Sequence, residues 1–150
     1  MKFKILALIA LFPLLAFSEV SQDKKATVVF DCSSGDKKYV ASRLWLIDTS
    51  INEYVENNTP YDVVLTIHSG CTDIVSKNVA EDNKIMKNIQ QKLEKLSKHK
   101  NISIEACQIA VDRFGIEHKD LYPFMKLVPN SITRVIQLQN DGYALIPFSK

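Results

Sequence analysis

The chain has 150 residues, and its 19 Lys plus Arg against 17 Asp plus Glu give a formal net charge of +2. That length suits one domain with a substantial core. The near-balance of charge argues against nucleic acid, whose phosphates demand clustered positive charge, and against electrostatic attachment to a membrane.

The first element in chain order is a leader, "MKFKILALIALFPLLAFSEVS". Lys2 and Lys4 precede an apolar core from Ile5 to Phe17, and the small residues Ala16 and Ser18 suit a signal peptidase. The apolar core falls short of the roughly 20 residues that span a bilayer. The expectation is therefore export with cleavage after Ser18, a mature domain over residues 19–150 and, in a bacterium, a periplasmic destination. Loss of Lys2 and Lys4 brings the basic residues level with the 17 acidic ones. No later stretch is long and apolar enough to cross a membrane, so no membrane association is expected after cleavage.

"ATVVFDC" (Ala26 to Cys32) is a β-branched, apolar run closed by the turn-forming "SSGD", and it predicts a buried first strand. A helix follows from Lys37 to Val55, with Val40, Leu44, Ile47, Ile51 and Val55 along one face. "YDVVLTIH" (Tyr61 to His68) is a second strand, too continuously apolar to have a wet face. After "SGC", a short segment from Thr72 to Lys77 leads into a polar helix from about Glu81 to Lys98. Its stripe is Ile85, Ile89, Leu93 and Leu96, and the lysines of its last turns complement the helix dipole. "NISIEAC" (Asn101 to Cys107) is the third strand, followed by a short helix toward Phe114 with Gly115 as its cap. "MKLVPN" gives a fourth strand, Ser131 can cap a helix to about Asn140, and "YALIPF" forms a fifth strand that Pro147 places at a sheet edge.

Alternating strands and helices predict a single α/β domain: three layers, α/β/α, around a mainly parallel five-stranded sheet. Chemistry in such folds collects beyond the carboxyl ends of the strands. Cys32 closes the first strand, Cys71 lies just past the second, and Cys107 closes the third, so all three thiols and His68 share one sheet edge. Cys107 stands out because a helix begins directly after it and Arg113 follows one or two turns on. Unpaired helix amides and a guanidinium both favour the thiolate, which is the nucleophilic form of sulfur. Against that stands the structural use of cysteine as a small buried residue.

Three cysteines cannot all pair within one chain, and the absence of CxxC argues against a thioredoxin-type dithiol and a zinc ribbon. Cys32 and Cys71 could assist Cys107 as resolving thiols or as a second sulfur acceptor, form a disulfide that leaves Cys107 free, or remain unpaired. His68, Cys71, Cys32 and Asp31 could be read as a metal site, but no close ligand pair has helical or knuckle spacing. "DCSSGD" has one glycine and matches neither phosphate-loop pattern. No cofactor and no metal is therefore expected. His99 and His118 read as solvated residues beside lysines, and Trp45 and Phe124 as core in preference to subunit interface. The run "YALIPF", with Tyr122, Phe124 and Met125, offers more apolar surface than a monomer of this size leaves exposed, which predicts self-association.

The segments "KATVVFDCSSGDKKYVASRLW", "VVLTIHSGC", "ISIEACQIAVDRFGI" and "LQNDGYALIPF" together resemble the DsrE/DsrF-like family of small α/β sulfur-relay proteins, over nearly the whole mature chain. The resemblance implies a sulfurtransferase or sulfur carrier in which the strand-ending cysteine, here Cys107, carries a persulfide. It also implies a trimeric or hexameric assembly and a thiol-bearing donor or acceptor protein. Two rival functions stay open: a non-catalytic oligomeric binding module with structural thiols, and a periplasmic thiol redox protein.

Overall fold

A computed structural model describes residues 24–148, so the leader reading lies outside the described residues. Five strands form one sheet: β1 (Ala26–Cys32), β2 (Tyr61–Ile67), β3 (Ile102–Cys107), β4 (Met125–Val128) and β5 (Ala144–Phe148). Their order is β4-β3-β2-β1-β5, and every neighbouring pair is parallel. The helices are α1 (Lys37–Glu56), α2 (Lys84–Leu96), α3 (Gln108–Arg113) and α4 (Ser131–Asn140). The three-layer α/β fold expected from the alternating pattern is therefore the one observed, and β5 with Pro147 is an edge strand.

α1 and α2 pack together on one face. Val40, Leu44, Ile47 and Ile51 from α1 and Ile89, Leu93 and Leu96 from α2 meet Val63, Leu65, Ile67 and Ile104 of the sheet. Each such side chain, fully buried, contributes about 1.5–3 kcal/mol. A smaller cluster on the other face joins Val29 and Val64 to Leu138, with Val135 and Leu145 packed against it. α4 contacts β3, β2, β1 and β5 as it carries the chain from one sheet edge to the other.

Local chemistry adjusts several expected boundaries. Asn83 accepts from the Met86 amide at 3.2 Å and so starts α2 at Lys84, not Glu81. Asn130, not Ser131, caps α4 by accepting from the Ile132 amide at 2.9 Å. The segment after "SGC" is a 3-10 helix from Ser69 to Val75. Val55 leaves the α1 stripe and is exposed, because Tyr54 turns inward instead and stacks on Tyr61 with ring centroids 5.9 Å apart. Trp45 lies one position beyond Leu44, off that stripe, and is 53% exposed instead of forming core. Tyr122, expected at the surface, is buried, and Phe124 stacks on it at 5.1 Å and packs against the core. His99 is not a solvated residue: its Nε2 lies 2.8 Å from Oδ1 of buried Asp48.

The α4 face of the sheet carries polar groups that the apolar reading of the strands missed. Glu105 in β3 is buried, and Arg134 of α4 grips it at both oxygens, Nε to Oε2 at 2.8 Å and Nη2 to Oε1 at 3.0 Å. Ser103 donates a third hydrogen bond at 3.0 Å. A buried carboxylate that loses its partner costs about 3–5 kcal/mol, so this clamp fixes where α4 crosses the sheet. That position decides what α4 presents to the end of β3.

Candidate functional site

The register aligns Cys32 with Ile67 and Phe148, Ile67 with Ala106, and Cys107 with Val128, so the carboxyl ends of the strands form one rim. Cys107 is the last residue of β3 and the N-cap of α3. Its thiol is free and only 5% exposed, and it lines a cleft of about 470 Å³ together with His68, Ser69, Arg113, Asn130 and Ser131. Ile109, Phe114 and Ile132 supply the apolar part of the wall. All three are more than half exposed, an unusual density of apolar surface around one thiol.

Burial raises the pKa of this thiol, but hydrogen-bond donors outweigh it and hold the pKa below the ordinary thiol value. The Ser131 amide donates to Sγ at 3.5 Å, and the Ala110 amide, the Ser131 hydroxyl and the Ile109 amide add to it. The thiol therefore lies at the start of two helices, α3 and α4. The expected help from α3 is present, whereas that from α4 comes from a residue 24 positions away and has no local signal. Arg113 lines the cleft, but the groups that favour the thiolate are these N–H and O–H donors, not its guanidinium.

Cys32 and Cys71 form a disulfide with Cα atoms 5.8 Å apart, and both are fully buried. Of the three alternatives open in the sequence, the bridge is the one observed, so neither is a free auxiliary thiol beside Cys107. The bridge instead ties the end of β1 to the segment that carries His68 and Ser69. Close packing reinforces it: a Cβ on Gly70 would lie 2.6 Å from the Gly35 nitrogen, so only glycine fits there. Lys37 spans the same gap, donating to the Gly70 carbonyl at 2.9 Å and pairing with Asp73 at 2.5 Å.

His68 belongs to a polar chain. Its Nε2 lies 2.9 Å from Asp31 Oδ1, and its Nδ1 lies 2.9 Å from Ser69 Oγ. Thr66 donates to the same Asp31 oxygen at 2.6 Å. Burial raises the Asp31 pKa, yet the bonds from His68 and Thr66 prevail and keep it below the ordinary value, so this carboxylate is ionised at neutral pH. Asp31 entered the sequence reading only as a metal ligand; its partnership with His68 depends on the parallel pairing of β1 with β2.

A second cleft, of about 510 Å³, opens between α1 and the β1–β5 edge, lined by Val28, Phe30, Leu46 and Ile146 with Arg43. It is slightly larger than the Cys107 cleft, but its lining holds no thiol, so the sulfur chemistry is assigned to the smaller one.

Comparison with known proteins places this geometry in a family. An uncharacterized protein of Aquifex aeolicus is 36% identical over 124 residues, which cover 80% of this chain and 55% of that protein. The chain thus spans about half the length of the curated relative it matches. Two solved structures share the fold: MTH1491 from Methanobacterium thermoautotrophicum, a protein of unknown function, and YchN from E. coli. They have TM-scores of 0.63 and 0.59, both at 17% identity, and the alignments cover 83% and 82% of this chain and 99% of each of theirs. The model of the DsrE/DsrF-like family matches residues 24–148, the whole described domain, and the chain belongs to that family.

Proposed function

We propose that this protein handles sulfane sulfur, with Cys107 as the residue that accepts it as a persulfide and passes it to a partner thiol. The observation that carries this reading is the environment of Cys107. A free thiol with a lowered pKa lines an open cleft at the carboxyl end of β3, among the N–H donors of two helices. A buried structural cysteine has its pKa raised, so the direction of the shift supports a chemical role. The periplasmic redox alternative is weakened because the disulfide partners are fully buried and Cys107 has no second thiol to cycle with. Incubation with cysteine hydropersulfide followed by cyanolysis tests the reading. One labile sulfur per chain is expected, none in Cys107→Ser. An inert thiol in the parent protein would leave the binding-module alternative.

The assembly belongs to the same proposal. Leu46 and Ile146 expose apolar surface in the second cleft and Trp45 is exposed on α1, in keeping with a homo-oligomer such as the trimer or hexamer that the family resemblance implies. Light scattering at micromolar concentration is expected to give a mass at least twice that of one chain, and a monomer throughout would refute the assembly. Export to the periplasm follows from the leader. Sequencing of native protein is expected to begin at Glu19, and recovery of Met1 would overturn export.

A further inference from the structure

Ser69 is one of three non-glycine residues, among those described, with a left-handed backbone, at φ +50. That conformation is unfavourable for a residue with a Cβ, and it persists only where the surroundings enforce it. Here they do so three times over, through the Cys32–Cys71 bridge, the Gly70–Gly35 contact and the Lys37 clamp. The strained residue lines the Cys107 cleft and holds its hydroxyl against His68.

The partners of His68 fix its tautomer. An ionised Asp31 can only accept, so Nε2 carries the hydrogen, and in the neutral ring Nδ1 is the basic nitrogen. Nδ1 therefore accepts from the Ser69 hydroxyl, and a chain of acceptors runs from the cleft wall through Ser69 to His68. The charged and titratable groups around this chain are Asp31 from β1, Cys107 from β3, and Arg113 from α3. Asn130, the cap of α4, and Ser131 and Ile132 in its first turn line the cleft, none of them charged.

We propose that Ser69 and His68 form a proton relay for Cys107, with Asp31 as the residue that positions the imidazole. The relay deepens the sulfur-transfer reading above and rests on it. Ser69 shares the cleft with Cys107 without a hydrogen bond to its thiol, so the thiol proton crosses the cleft to the Ser69 hydroxyl and passes on to His68 Nδ1, leaving the thiolate. Cys107 Sγ then attacks the outer sulfur of a hydropersulfide, R–S–SH. The new Sγ–S bond forms as the donor S–S bond breaks, and that electron pair leaves on R–S⁻. The transferred sulfur keeps its own hydrogen, and R–S⁻ takes the proton back from His68 as R–SH. One thiol and one hydropersulfide give one hydropersulfide and one thiol, with no net oxidation.

The test is the rate of sulfur loading from cysteine hydropersulfide against pH, in the parent protein and in His68→Gln, Ser69→Gly and Asp31→Asn. Ser69→Gly deletes the hydroxyl and suits the left-handed backbone, so it remains informative if another variant folds poorly. The relay predicts that His68→Gln slows loading by about 100-fold or more, as removal of a general acid–base does. It also predicts that in His68→Gln the pH profile of the residual loading follows the ionisation of the Cys107 thiol alone, and that Asp31→Asn moves the profile in the same direction to a smaller extent. Ser69→Gly is expected to slow loading at least tenfold, with unchanged circular dichroism, the scale of one hydrogen-bonded step. Parent-like rates and profiles in His68→Gln and Ser69→Gly would overturn the relay and leave Cys107 as the sulfur acceptor. A parent protein that never loads would overturn both.

Discussion

Alkylation of Cys107 is expected to reach half its maximal rate at a lower pH than that of an unperturbed free thiol, and to vanish in Cys107→Ser. The sign follows from the site. Burial alone would favour the neutral thiol, but the Ser131 amide and hydroxyl and the α3 amides bind the thiolate more strongly. Reaction therefore stays fast as the pH falls through the free-thiol range and declines only further down. Cys32 and Cys71 are bridged, so the signal comes from one residue. The contribution of α4 can be isolated with Ser131→Pro. Position 131 is the first residue of α4, where proline's fixed φ is favourable, and Asn130 before it is already extended at φ −148, ψ 119. The substitution removes both Ser131 donors, and the midpoint is expected to move up. An unchanged midpoint in Ser131→Pro would mean that α4 does not tune the thiol.

Removal of the Cys32–Cys71 bridge is expected to lower unfolding free energy by about 2–4 kcal/mol. The bridge closes a sequence separation of 39, and its loss frees the unfolded chain across that span. Alanine at both positions also leaves space in a fully buried part of the core, which acts in the same direction. The comparison is urea unfolding of Cys32→Ala/Cys71→Ala against the oxidised parent. The double variant should also alkylate at Cys107 with an unaltered midpoint, because none of the donors to Sγ belongs to the bridged segment. A loss below about 0.5 kcal/mol, the range of an ordinary surface substitution, would show that the bridge is not a structural staple.

The sheet was legible in the sequence because parallel strands covered on both faces leave continuous apolar runs, and β1, β2 and β3 each end where such a run stops. Cys107 was legible for the same reason, since strand end and helix start are local features. The rest of the site depends on residues far apart in the chain. Ser131 reaches Sγ only because β4 pairs beside β3 and the Glu105–Arg134 clamp sets the path of α4. Asp31 meets His68 through the pairing of β1 with β2, and neither residue carries a pattern that predicts the other. The pairing of Cys32 with Cys71 needed a Cα separation, which spacing along the chain does not provide. His99 misled because its lysine neighbours suggested solvent, while its partner, Asp48, lies on α1, far away in the sequence.

The most direct measurement is peptide-resolved mass spectrometry of the full protein, bridge intact, after exposure to cysteine hydropersulfide. The account predicts one added sulfur atom on the peptide that contains Cys107 and none in Cys107→Ser. An unmodified Cys107 peptide, or sulfur found only on the peptides of Cys32 and Cys71, would contradict it.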